Sequence, residues 1–107
     1  MANAKQIQQG DVLFAKVDKL PVGCVAVVRQ RGDLVIAEGE STGHRHIIMD
    51  KTATLWELRG DLYLEVTDPV VLTHDEHKEL PIPVGVYKVG IVQEYDHFND
   101  VIRDVRD

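Results

Sequence analysis

The sequence predicts an all-β fold, a single small barrel or sandwich of about seven to eight short antiparallel strands. Three observations point to it. β-Branched and aromatic residues gather in short runs, turn residues interrupt them at close intervals, and no window of twelve or more residues repeats its apolar positions at the helical period. With 107 residues in all, residues 1–107 read as one domain. A chain of that size buries roughly two-thirds of its unfolded surface, enough for one core without disulfide or metal staples.

The elements follow in order. The opening residues are polar, so 1–9 are expected to be flexible, with Gly10-Asp11 leading into a strand over 11–17. Leu20-Pro21 ends that run, and a strand is predicted over 22–29. Arg31-Gly32-Asp33 turns the chain into a strand over 34–38, and Ser41-Thr42-Gly43 into one over 44–49. Strands over 52–58 and 62–66 flank Arg59-Gly60-Asp61, which reads as a tight hairpin. In the second of these, Leu62, Leu64 and Val66 face the core while Tyr63 and Glu65 face out. Trp56 reads as a core residue. After Asp68-Pro69 comes a strand over 70–73, then a strand end or single helical turn near 74–80, then a turn at Pro81-Ile82-Pro83. The last run, 85–95, is long for one strand, which predicts a bend or bulge near Gly90. Residues 96–107 read as an edge strand or a docking arm.

Composition excludes several functions. Twelve basic against eighteen acidic residues leave a net charge of −6, so nucleic-acid binding through a basic footprint is not expected. The longest uncharged apolar stretch, Leu20 to Val28, is broken by Pro21 and Gly23 and is too short for a membrane span. No leader-like apolar stretch opens the chain, and one cysteine, Cys24, excludes an internal disulfide. The expected location is cytoplasmic, with association to a virion as the alternative. Cys24 sits in an apolar run and reads as a buried, inert thiol. No phosphate-binding loop is present, because Gly39-x-x-x-Gly43 lacks the Lys-Ser/Thr ending. Arg103 and Arg106, interleaved with Asp104 and Asp107, read as solvated or intersubunit ion pairs.

One feature stands above this background. Of five histidines, four fall in two motifs, Gly43-His44-Arg45-His46 and His74-Asp75-Glu76-His77. On a strand, His44 and His46 project from one face about 6.5–7 Å apart, close enough to share an ion. Ile48 continues that face, which marks it as the inner one. An H-x-x-H spacing suits a helical turn or a tight turn at a strand end. Together the four imidazoles match the ligand preferences of a divalent Zn, Fe, Ni or Mn ion. Glu40 and Glu76 are the nearest carboxylates for proton transfer, and Asp75 can orient a ligand imidazole. Two blander readings stay open: a hydrogen-bonded histidine cluster without metal, and unrelated exposed histidines. His97 stands alone and reads as structural.

The histidine motifs also support a resemblance. Gly39, His44, His46 and Asp50, followed by Pro83-Val84-Gly85, resemble the two cupin motifs in outline. The gap from Gly39 to His44 is one residue short, Asp50 stands where cupins carry Glu, and Lys88 stands where they carry a second-motif His. A cupin-type site would therefore recruit His74 or His77. The chain is similar over nearly its whole length to a family of small bacterial and phage proteins with no assigned activity. That similarity rests on Gln9-Gly10-Asp11-Val12-Leu13, on Ala37-Glu38-Gly39-Glu40 with Thr42-Gly43-His44-Arg45-His46, and on Leu72-Thr73-His74-Asp75-Glu76-His77, together with Leu80-Pro81-Ile82-Pro83-Val84-Gly85-Val86-Tyr87 and Gln93-Glu94-Tyr95. It implies that both histidine motifs travel with the fold.

Two functions are expected from this reading. The first is a metal-binding β protein with His44, His46, His74 and His77 as ligands, whether structural or catalytic. The second is a non-enzymatic assembly or interaction module, such as a phage or prophage accessory or structural protein, acting as a homo-oligomer or on a protein partner.

Overall fold

A computed structural model describes residues 6–38 and 44–91. It contains ten strands: β1 (Gln6–Gln9), β2 (Val12–Val17), β3 (Val25–Ala26), β4 (Leu34–Glu38), β5 (Arg45–Ile48), β6 (Ala53–Leu58), β7 (Asp61–Val66), β8 (Val70–Thr73), β9 (Leu80–Ile82) and β10 (Gly85–Ile91). All pair antiparallel, in two sheets of order β1-β2-β10-β7-β6-β3 and β4-β5-β8-β9. The all-β expectation holds. The barrel does not: among the described residues no ladder joins the edges of one sheet to those of the other, and the arrangement is sandwich-like. Closure would need long strands at the edges, whereas β3 has only two residues in its ladder.

Period-2 alternation builds the core. Val12, Phe14, Ala53, Leu55, Leu64, Val66 and Tyr87 from the larger sheet meet Leu34, Ile36, Ile48, Val70, Leu72 and Ile82 from the smaller. Phe14 and Tyr87 pack edge to face with centroids 6.3 Å apart, and the Tyr87 hydroxyl donates to Pro83 O at 2.7 Å. Burial raises the pKa of that phenol above its ordinary value. The β6–β7 loop is the predicted tight hairpin, with Arg59 at φ +54° and Gly60 at φ +88°, the signs a type I′ turn requires.

Several expectations change. Gln6–Gln9 pairs with β2 rather than lying loose, because Gly10, at φ +57°, turns the chain back onto β2. The strand predicted over 22–29 shrinks to Val25–Ala26, since Pro21 and Gly23 interrupt it and Val22, Val25 and Val28 are exposed. Cys24 lies outside that strand and is only half-buried. Pro81 sits within β9, which is permitted because β9 is an edge strand and its missing N–H is needed by no neighbour. No bulge forms at Gly90, where β10 runs in unbroken register from Val86 opposite Val17 to Ile91 opposite Val12. The irregularity falls in β4 instead, between Val35 and Ala37. Trp56 is not in the core. Ala53 and Leu55 take the inner face, so Trp56 lies outward across from Tyr63 and donates from Nε1 to Glu65 Oε1 at 3.1 Å. Residues 96–107 lie outside the described residues.

Candidate metal centre

The site forms at one end of the smaller sheet, where β5 begins and β8 ends. Their ladder pairs Ile48 with Leu72 and Ile47 with Thr73. One step further the same register sets His46 across from His74, and their rings lie 4.3 Å apart. Past Thr73 the chain bends. His74 Nδ1 accepts the backbone N–H of Glu76 at 3.0 Å and of His77 at 3.3 Å, which folds the H-x-x-H segment on itself. That turn returns His77 to 4.5 Å from the His74 ring and 6.0 Å from that of His46. His44, two residues before His46, meets His74 edge-on at 5.6 Å. The four imidazoles of the two motifs therefore converge, with His74 in the middle.

The larger sheet supplies a second wall that sequence reading missed: the β1–β2 turn. Gln9 and His46 are both 3% exposed. Gln9 Nε2 donates to Leu72 O at 3.0 Å and to Lys78 O at 2.8 Å, which turns its carbonyl oxygen toward His46 Nδ1 at 2.8 Å. Because Gln9 Oε1 can only accept, His46 carries a proton on Nδ1 and donates it there. Its other nitrogen, Nε2, faces Asp11 Oδ1 at 3.2 Å. Gly10, between them, packs against the His77 imidazole: a Cβ there would stand 2.8 Å from His77 Cδ2 and closer still to Nε2. The sequence signals for this wall were Gly10-Asp11 at the head of a predicted strand and the Gln9-Gly10-Asp11-Val12-Leu13 motif of the resemblance, and Gln6–Gln9 lacks the residues that announce a strand.

Electrostatics favour the neutral form at His46 and His74. Burial is the largest cause lowering the His46 pKa below 6.5, followed by repulsion from His74. The Asp11 carboxylate opposes them, and His77 adds a smaller repulsion. His74 is lowered by burial first, then by His77 and His44, against the pull of Asp75 and Glu76. Neutral imidazole is the form that binds metal. On the outer side two exposed carboxylates flank His44, with Glu76 Oε1 3.6 Å from Nδ1 and Asp75 Oδ2 4.0 Å from Nε2. Asp50, part of the cupin resemblance, accepts the Val71 N–H at 3.0 Å, and Lys88 pairs with Asp61 at 3.8 Å. Glu40 and His97 lie outside the described residues. Among those described, no three His, Cys, Asp or Glu side chains stand grouped around one point as they would around an ion.

A family described as a domain of unknown function, DUF8820, matches residues 8–92. The chain belongs to this family. The DUF8820 span takes in Gln9, Gly10, Asp11 and both histidine motifs, and leaves out His97 and the rest of the C-terminal segment. Comparison with curated proteins and with solved structures returned no match. No helix among the described residues is long and apolar enough to cross a membrane.

Proposed function

We propose that this protein binds one divalent metal ion at the histidine cluster, between the β5–β8 end of the smaller sheet and the β1–β2 turn of the larger. One observation carries the reading. The buried His46 is held by Gln9 in the tautomer that directs Nε2 into the cluster, toward Asp11 and among the rings of His74 and His77. A ligating histidine is commonly oriented in this way, by giving its other N–H to a carbonyl oxygen. The donors are nitrogen and oxygen without thiolate, which suits Zn²⁺, Fe²⁺, Ni²⁺ or Mn²⁺. Glu76, solvent-exposed beside His44, is the described carboxylate placed to move a proton if the ion is catalytic. Metal analysis of tag-free protein, followed by calorimetric titration of the chelator-treated protein with each ion, tests the reading. One ion per chain is expected, and protein that neither carries nor takes up any of the four refutes it.

A second reading, self-association, is favoured by a different observation. Val22, Val25 and Val28, in and beside β3, the edge strand among the described residues, are 96%, 69% and 86% exposed. An apolar sheet edge of that kind pairs readily with another chain. Light scattering coupled to size exclusion should show an oligomer that Val25→Lys dissociates, and a wild-type monomer at high concentration removes this reading.

A further inference from the structure

The metal reading leaves open which side chains touch the ion, and the hydrogen-bond pattern separates them. His74 Nδ1 accepts two backbone N–H groups, so its lone pair there is occupied and its ring proton sits on Nε2. A neutral imidazole in that state has no nitrogen left for a metal. His46 is the reverse case, with its proton given to Gln9 and Nε2 left as an acceptor. That acceptor faces another, Asp11 Oδ1, at 3.2 Å. Two acceptors in contact call for a proton or a metal cation between them.

The distance leaves room for either. A charge-assisted N–H···O bond between imidazolium and carboxylate runs at about 2.7–2.9 Å. Two donors bound to one ion at about 2.0–2.2 Å lie about 2.9 Å apart at a right angle and about 3.4 Å apart at the tetrahedral angle. The observed 3.2 Å falls between those two values, and it also lies at the long end of the ordinary N–H···O range, so the pair can hold either a proton or an ion. The third donor comes from the same corner. His77 Nε2 lies against Gly10, the residue next to Asp11, in space that any side chain at position 10 would fill.

We propose that Asp11, His46 and His77 are the protein ligands of the ion, and that His74 is not a ligand but caps the turn that delivers His77. This rests on the metal-binding reading above and corrects the four-histidine set. Two imidazoles and one carboxylate leave coordination positions for water or a small anionic or carbonyl ligand, as in open mononuclear sites.

The test is calorimetric titration of chelator-treated, tag-free protein with Co²⁺ and Zn²⁺, each variant checked for folding by thermal melting. Asp11→Asn and His77→Gln should each weaken binding by at least about tenfold. His74→Asn keeps an acceptor for the two N–H groups, since Asn forms the same local turn, and should bind within about threefold of wild type. Wild-type affinity in Asp11→Asn or His77→Gln overturns the ligand set, as does a loss in His74→Asn equal to theirs. In either case wild-type binding would leave the broader metal reading standing. A wild-type protein that binds neither Co²⁺ nor Zn²⁺, and none of Fe²⁺, Ni²⁺ and Mn²⁺ in the same titration, overturns both. Because Asp11 is in an exposed turn, a fold defect in Asp11→Asn is not expected, and Asp11→Ser serves as the second variant.

Discussion

Gly10→Ala isolates the contact between the two sheets at the site. Gly10 has φ +57°, a conformation that costs an L-residue about 1–2 kcal/mol. Alanine recovers part of this, about 0.4–1 kcal/mol, by restricting the unfolded chain. The backbone effect alone should therefore be a loss of roughly 1 kcal/mol, or about 4–8 °C in melting temperature. Gly32→Ala is the control, because Gly32 has φ +89° and no described atom stands within 4 Å of where its Cβ would be. At Gly10 the new methyl group also strikes the His77 ring. His77 is exposed and can swing away, so the added loss of stability over Gly32→Ala should be small. Its displacement should appear instead as a shift of the His77 ring signals by NMR and a loss of metal affinity of at least about tenfold. Gly32→Ala should leave both unchanged. Gly10→Ala protein with wild-type affinity and unmoved His77 signals would refute the placement of His77 in the site.

Gln9→Leu removes the acceptor for His46 Nδ1–H and the donor to Leu72 O and Lys78 O, so urea denaturation should show a loss of about 2–3 kcal/mol with a freed His46 ring. The metal-free protein should lose stability in mild acid. His46 and His74 titrate below 6.5 when folded, so just under that pH the unfolded chain binds more protons than the folded one. Stability is thus full above pH 6.5 and falls as pH drops from there toward the lowered values. Urea midpoints between pH 5 and 8 should show this slope, and His46→Gln should flatten it. Leu64→Ala, at a fully buried position, should cost about 2–5 kcal/mol. Trp56→Phe, on the outer face, should cost no more than about 1 kcal/mol, the worth of its bond to Glu65.

What could be read in advance was whatever depended on neighbours along the chain. Alternation placed His46 and Ile48 on one buried face and set Leu62, Leu64 and Val66 inward, because side-chain direction in a strand is a local property. Arg59-Gly60 announced its hairpin through backbone conformations that few dipeptides tolerate. The residues misread were those whose state is set across the fold. Gln6–Gln9 carries no strand signal and is ordered by its partner β2, and Trp56 faces outward because Leu55 fills the core. Asp11 passed as the first residue of a strand, since nothing local reveals that His46 stands opposite it.

The sequence alone determined the all-β class, the inner face of each well-alternating strand and the two histidine motifs as the chemically distinctive residues. Only the tertiary structure decided that the described residues form two sheets, sandwich-like, rather than a closed barrel. It alone brought the β1–β2 turn onto the histidines, and it set which His46 nitrogen meets Gln9 and which meets Asp11. The physical reason is range. Alternation and turn chemistry act within a few residues, whereas the tautomer of His46 is set by Gln9, whose amide is oriented by Leu72 and Lys78 more than sixty residues away.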